Sequence, residues 1–269
     1  MTYPQLAENA WCPGCGNFPL LKTLNDAIDS AGLDRHKLVL VSGIGQAAKL
    51  PHFTYANVFN GLHGRALPVA TGIKFANPAL KVLITSGDGD MYGEGGNHLL
   101  HTMRRNVSVA AFVHDNQIYG LTKGQASPTT EEGHVTKLQS FGVINKPVNA
   151  LELAIANDVA FVGRGFVGNH ENLHDTMVEA LHCDEGFVLL DILQPCVSFN
   201  KVNTFKWYKD RVTPIDKSHD PTDKEAALRL ARTWGDEIPV GVIYKGSRPS
   251  FESRHPVLAE GNPVLDYDD

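Results

Sequence analysis

The chain has 269 residues, 42% hydrophobic and 20% charged, as in an ordinary globular protein long enough to bury a substantial core. A formal net charge of −6 argues against nucleic-acid binding, which calls for a basic face, and no run of about 18 apolar residues offers a membrane span. The first residues lack a basic start followed by an apolar run. A cytoplasmic chain is therefore expected, where cysteines serve metal or redox chemistry rather than disulfides.

In chain order, Phe18–Ala31 places Leu20, Leu21, Leu24, Ala27 and Ile28 on one helical stripe. Lys37–Ser42, Lys81–Ser86, Ser108–His114 and Phe187–Ile192 read as strands, with Phe161–Gly163 a shorter one. Their apolar runs are continuous, which suits parallel strands covered on both faces. Gly95–Arg105, Ala150–Asn157 and Glu171–His182 fit helices between them. The alternation predicts an α/β fold, a mainly parallel doubly wound sheet with helices on both faces. Beyond 196 the chain mixes Lys, Asp, Trp and Pro, with a helix over Lys224–Thr233 and a short strand over Pro239–Tyr244. The expected division is an α/β domain over 1–196 and an arm over 197–269 that packs on the core or on a partner.

The unusual motifs all follow strands, and open α/β sheets bind ligands at the carboxyl ends of their strands. Gly87 and Gly89 let the backbone turn sharply around Asp88, and Asn116 follows the next strand. A carboxylate and an amide oxygen at adjacent strand ends suit Mg²⁺, which prefers hard oxygen ligands and keeps phosphate oxygens and water. A helix start after Gly89 would favour the anion. Alone, the Gly-Asp-Gly could be only a turn. Cys12-Pro13-Gly14-Cys15 could be a redox pair, half of a zinc site or half of an iron–sulfur site.

Taken together, GDGDMYGEGGNHLLHTMRRN, HDNQIYGLTKGQASPTT, WCPGCG, SGIG, LHGRALPVATG and QPCVSFN resemble the β subunits of 2-oxoacid:ferredoxin oxidoreductases, from about Trp11 to Asn203. The resemblance implies a thiamine-diphosphate-binding fold. It implies oxidative decarboxylation of a 2-oxoacid, with coenzyme A accepting the acyl group and ferredoxin the electrons. It implies Asp88, Asn116 and the Ile118 carbonyl as Mg²⁺ ligands, with Asp115 in place of the usual first Asn. Gly45, Gly87, Gly89, Asp90, Tyr119, Leu121 and Thr122 are then expected around the cofactor. His63, Arg65 and Lys49 are candidate catalytic or substrate-binding residues, Lys49 because a second cation would suit a dicarboxylic 2-oxoacid such as 2-oxoglutarate rather than pyruvate. Cys12, Cys15 and Cys196 match three of four ligands of a [4Fe–4S] cluster. The fourth position holds Gln46, so Cys183, His52 or water is expected to complete the cluster, unless it is a three-iron cluster or is labile or lost. The glutamate that activates the cofactor is expected from an α subunit, in an αβ pair dimerised to α₂β₂. Two other readings stay open: a thiamine-dependent lyase without electron transfer, and a non-enzymatic zinc or iron–sulfur scaffold.

Overall fold

The computed structural model describes residues 8–261 and 263. Its strands are β1 (Leu38–Ser42), β2 (Asn57–Asn60), β3 (Lys81–Gly87), β4 (Ala110–Asp115), β5 (Ile118–Tyr119), β6 (Gln125–Ala126), β7 (Phe161–Phe166), β8 (Val188–Leu193), β9 (Val212–Pro214) and β10 (Ile238–Lys245). Its α-helices are α1 (Asn17–Ser30), α2 (Ala66–Ala76), α3 (Gly96–Arg105), α4 (Ala150–Ala156), α5 (His170–Leu181), α6 (Phe205–Lys209), α7 (Lys224–Arg232), α8 (Phe251–Arg254) and α9 (Pro256–Glu260). Eight strands form one sheet in the order β2-β1-β3-β4-β8-β7-β10-β9, and β5 and β6 form a separate hairpin. Neighbours in the large sheet are parallel, except that β10 runs antiparallel to β7.

The continuous apolar runs become strands buried end to end, as in β1, β4 and β8. Successive side chains point to opposite faces. Val39, Val41, Ile84 and Val113 enter a core with α2, α3, α4 and α7 residues Leu67, Met103, Leu151 and Ala227. Leu38, Leu40, Leu83 and Phe112 enter a second core with Leu20 and Leu24 of α1 and Leu173 and Met177 of α5. The expected three-layer, doubly wound architecture is what forms.

Three features depart from the sequence expectation. Strand β2 lies in a stretch to which the sequence pattern assigned no element; its residues are polar or exposed because it is the sheet edge and pairs only with β1. Strand β7 runs past Gly163 through Arg164, whose charge interrupts the apolar run. Arg164 is in register with Asp191 of β8, and its guanidinium donates to Ala231 O at 2.9 Å. The segment expected as an arm contributes β9 and β10 to the main sheet itself. We predict that Arg164→Met lowers stability by about 1–3 kcal/mol, because it leaves the buried carbonyl of Ala231, with those of Thr233 and Pro239, without its guanidinium donor. Thermal or urea unfolding checks this, and an unchanged midpoint would contradict it.

Candidate functional site

The sheet order makes β1, β3, β4 and β8 consecutive parallel neighbours. Their carboxyl ends therefore stand side by side. The loops that leave them line one cleft, open to solvent. Of the residues singled out above, Cys12, Cys15, Cys196, Gly45, Gln46, His63, Gly87, Asp88, Gly89, Asp90, Asn116, Ile118, Tyr119, Leu121 and Thr122 line it.

Asp88 follows β3 and is 1% exposed. Burial pushes its carboxyl above the ordinary carboxylate range, while the Thr129 side chain and the amides of Asn116 and Gly89 favour the ionised form. A bound divalent cation would supply the missing charge and hold it ionised. The chain after Gly89 begins with a π-helical turn, Gly89–Glu94, before α3. A Cβ at Gly89 or Gly93 would stand 2.3 or 2.4 Å from the Tyr119 side chain. These two glycines let the Tyr119 ring lie on the turn, where its hydroxyl donates to Gly89 O at 3.2 Å. No other side chain crowds the space over Gly87, where an added Cβ would meet only Ala47 at 3.9 Å and a backbone oxygen at 4.0 Å. On the neighbouring strand end, Asn116 Oδ1 accepts from the Ile118 N–H at 3.0 Å. The turn between them needs the left-handed conformation of Gln117, φ 57°. The donor set of Asp88, Asn116 and Ile118 is all oxygen and meets in one cleft, and so fits Mg²⁺.

Thr129 was not singled out by sequence reasoning. Its Oγ1 stands 2.7 Å from Asp88 Oδ2 and 2.8 Å from Asp115 Oδ1. One hydroxyl hydrogen serves only one of them, so the other carboxyl must carry a proton. Burial first, then Asp191 and Asp88, push Asp115 well above the ordinary carboxylate range, while its Oδ1 also accepts from the Gln117 N–H at 3.1 Å.

Asp90 belongs to the scaffold as much as to the ligand space. Its Oδ1 accepts from Ile44 N–H (3.0 Å) and Gly64 N–H (2.8 Å), and its Oδ2 from Ser86 Oγ (2.6 Å). His63 Nδ1 lies 2.8 Å from the same Oδ1. A Cβ at Gly43 would stand 1.9 Å from this carboxylate, so position 43 must lack a side chain. One carboxylate thus ties the β1 loop, the His63 loop and β3 together, and leaves His63 Nε2 for the cleft. Asp90→Ala strands buried donors worth about 1–3 kcal/mol each. We expect it to lose about 3 kcal/mol or more of stability in thermal denaturation; wild-type stability would contradict the tie.

Two expected site residues are elsewhere. Arg65 is exposed at the start of α2, and Lys49 lies on a 3-10 helix over Ala47–Phe53; neither lines the cleft.

The Cys12–Cys15 turn is closed by the Cys15 N–H donating to Cys12 O at 3.0 Å, with Gly14 at φ 77°. Trp11 anchors it: its ring meets Phe18 and Phe53 edge-on at 5.3 and 4.8 Å, and Nε1 donates to Gln46 O at 3.0 Å. Cys196 follows β8 and lies against the loop after Tyr119, its Sγ 3.8 Å from the Cβ position of Gly120. Burial, then Cys196 and Cys12, push the Cys15 thiol up, so the three thiols share one neighbourhood. Among the described residues no three His, Cys, Asp or Glu converge on a single ion position. Thiolates holding different irons of a cluster need not converge so closely. Cys183 lies at the opposite end of the sheet beside Lys81 and Asp184, and His52 Nε2 is 3.2 Å from Asn60 Nδ2, outside the cleft lining. Neither stands with the three thiols, contrary to the expectation that one of them completes the set.

Residues 43–192 match the family described as thiamine pyrophosphate enzyme, C-terminal TPP binding domain. Residues 196–260 match the family that describes the C-terminal part of the pyruvate ferredoxin oxidoreductase β chain. The chain is 41% identical to a 2-oxoacid:ferredoxin oxidoreductase subunit beta of a Sulfolobus species, over 96% of this chain and 88% of that one. It is 40% identical to the subunit of the same name in Saccharolobus solfataricus, over 97% and 95%. The solved 2-oxoglutarate:ferredoxin oxidoreductase from Magnetococcus marinus, with 2-oxoglutarate, coenzyme A and succinyl-CoA bound, superposes with a TM-score of 0.89 at 37% identity, covering 93% of this chain and 85% of that one.

Proposed function

Since the chain belongs to the β subunits of the 2-oxoacid:ferredoxin oxidoreductases, we propose that its cleft is the cofactor half of an active site completed by a partner. The enzyme decarboxylates a 2-oxoacid oxidatively and transfers the acyl group to coenzyme A. Thiamine diphosphate, when bound, supplies the nucleophilic carbon and the electron sink that this chemistry needs. Asp88, Asn116 and the Ile118 carbonyl hold Mg²⁺ against the diphosphate. The β3 turn gives the anion room over Gly87, and Tyr119 closes the turn from the side. His63, fixed through Nδ1 by Asp90, turns Nε2 toward the substrate. Cys12, Cys15 and Cys196 hold an iron–sulfur cluster that passes electrons to ferredoxin. The observation that carries this reading is the shared cleft: the oxygen donors and the three thiols line the same space, so a redox centre sits beside the cofactor. A thiamine-dependent lyase would have no use for the thiols.

An α subunit supplies the activating glutamate, and the assembly is α₂β₂. The surface supports a partner: Val135, Leu138, Phe141 and Ile144 project from one loop, Phe141 fully exposed, and such apolar clusters mark protein contacts. No helix is long and apolar enough to cross a membrane, and we place the enzyme in the cytoplasm. The test is to purify the chain with its α subunit and measure 2-oxoacid- and coenzyme-A-dependent reduction of ferredoxin or a dye, with iron and sulfide content. Pyruvate and 2-oxoglutarate are compared as substrates. Carbon dioxide release without dye reduction would replace this reading with a non-redox lyase.

A further inference from the structure

This inference rests on the reading of the three cleft cysteines as iron ligands. Gln46 lies beside them. Its backbone carbonyl is held by Trp11 Nε1 at 3.0 Å, next in sequence to Cys12, and its side chain lines the same cleft. Its Oε1 is shielded from solvent and has no hydrogen-bond partner among the described residues. A buried, unsatisfied amide oxygen costs free energy unless a donor or a metal in the cleft meets it. The other conceivable fourth ligands are accounted for: Cys183 is at the far end of the sheet, and His52 pairs with Asn60. The neighbouring amide Gln194 donates through Nε2 to Cys15 Sγ at 3.8 Å; its Oε1 also has no hydrogen-bond partner among the described residues, but this side chain is engaged with His114.

We propose that the iron–sulfur centre is site-differentiated. Three irons are held by the thiolates of Cys12, Cys15 and Cys196, and the fourth faces Gln46 Oε1 in place of sulfur. An amide oxygen is a hard, neutral donor and binds iron of such a cluster less firmly than a thiolate. The fourth iron is therefore exchangeable. The centre also carries one negative charge fewer than a four-thiolate cluster, which raises its potential. Its loss balances as follows. Ferricyanide removes one electron from the four-iron cluster. The bonds from the fourth iron to Oε1 and to the cluster sulfides break. That iron leaves as Fe²⁺, and an oxidised three-iron cluster remains on the three thiolates.

The test uses the complex with the α subunit, purified without oxygen and titrated with ferricyanide while released Fe²⁺ is trapped by a chelator and the protein is followed by electron paramagnetic resonance. Wild type is expected to release one iron per cluster and to gain the signal of a three-iron cluster. Gln46→Cys is expected to keep that iron through the same titration and to show a lower midpoint potential. Gln46→Ala should release it faster than wild type. Wild type holding its iron as firmly as Gln46→Cys, or Gln46→Ala matching wild type, overturns the role of Oε1 and leaves the cluster reading intact. Absence of iron and sulfide from wild type and variants alike overturns the cluster reading itself.

Discussion

Replacing Asp88 with Ala abolishes Mg²⁺-dependent binding of thiamine diphosphate and leaves the chain folded. Of the two carboxylates of the β3 turn that line the cleft, Asp90 is taken up by Ile44, Gly64 and Ser86, which leaves Asp88 to meet a cation. Loss of groups that merely support a metal ligand costs about 10–100-fold in affinity, so loss of the ligand should cost at least about 100-fold. Folding should not suffer. Burial already disfavours the Asp88 charge, and relief of that desolvation offsets the loss of the bonds from Thr129 and the neighbouring amides. Titration calorimetry with thiamine diphosphate and Mg²⁺ reads the first effect, and thermal unfolding of the cofactor-free chain the second. Wild-type affinity in the variant would remove the metal assignment, and with it the central contact of the site.

Cys12→Ser should bleach the iron–sulfur centre while Mg²⁺-dependent cofactor binding persists. The chain offers three thiols in the cleft and Gln46 rather than a fourth, so removing Cys12 leaves only two thiolates to hold the cluster. Iron and sulfide should fall to a small fraction of the wild-type content. Ferredoxin or dye reduction should fall on the order of 100-fold or more, because no other thiol of the described residues stands in the cleft to hold a relay. Cys183→Ser is the control: its thiol is at the opposite end of the sheet, and the variant should keep its iron and its activity. A full iron count in Cys12→Ser would deny that residue its role.

The two variants separate two functions that share one cleft, and they differ in how far they could be foreseen. Asp88 and Asn116 were legible because a turn between glycines after a buried strand has a local signature. Cys12 and Cys15 were legible because a two-residue spacing is local too. Thr129 was not, because its role exists only where the β5–β6 region folds back over the end of β3. Arg65 and Lys49 stand near the site by charge and motif, but in this chain neither lines the cleft. Arg164 hid part of β7 because a charge inside a strand contradicts the apolar pattern until Asp191 appears beside it.

The residues alone determined the period of each element, the sharp turns at strand ends and the chemical character of the donors, since these depend on neighbours within a few positions. Tertiary structure decided which strand ends are adjacent. The order β1-β3-β4-β8 brings Cys196 into one cleft with Cys12, Cys15 and Gln46 and sends Cys183 to the far end. That order arises from packing two helical layers against both faces of one sheet, a long-range condition that no local pattern encodes.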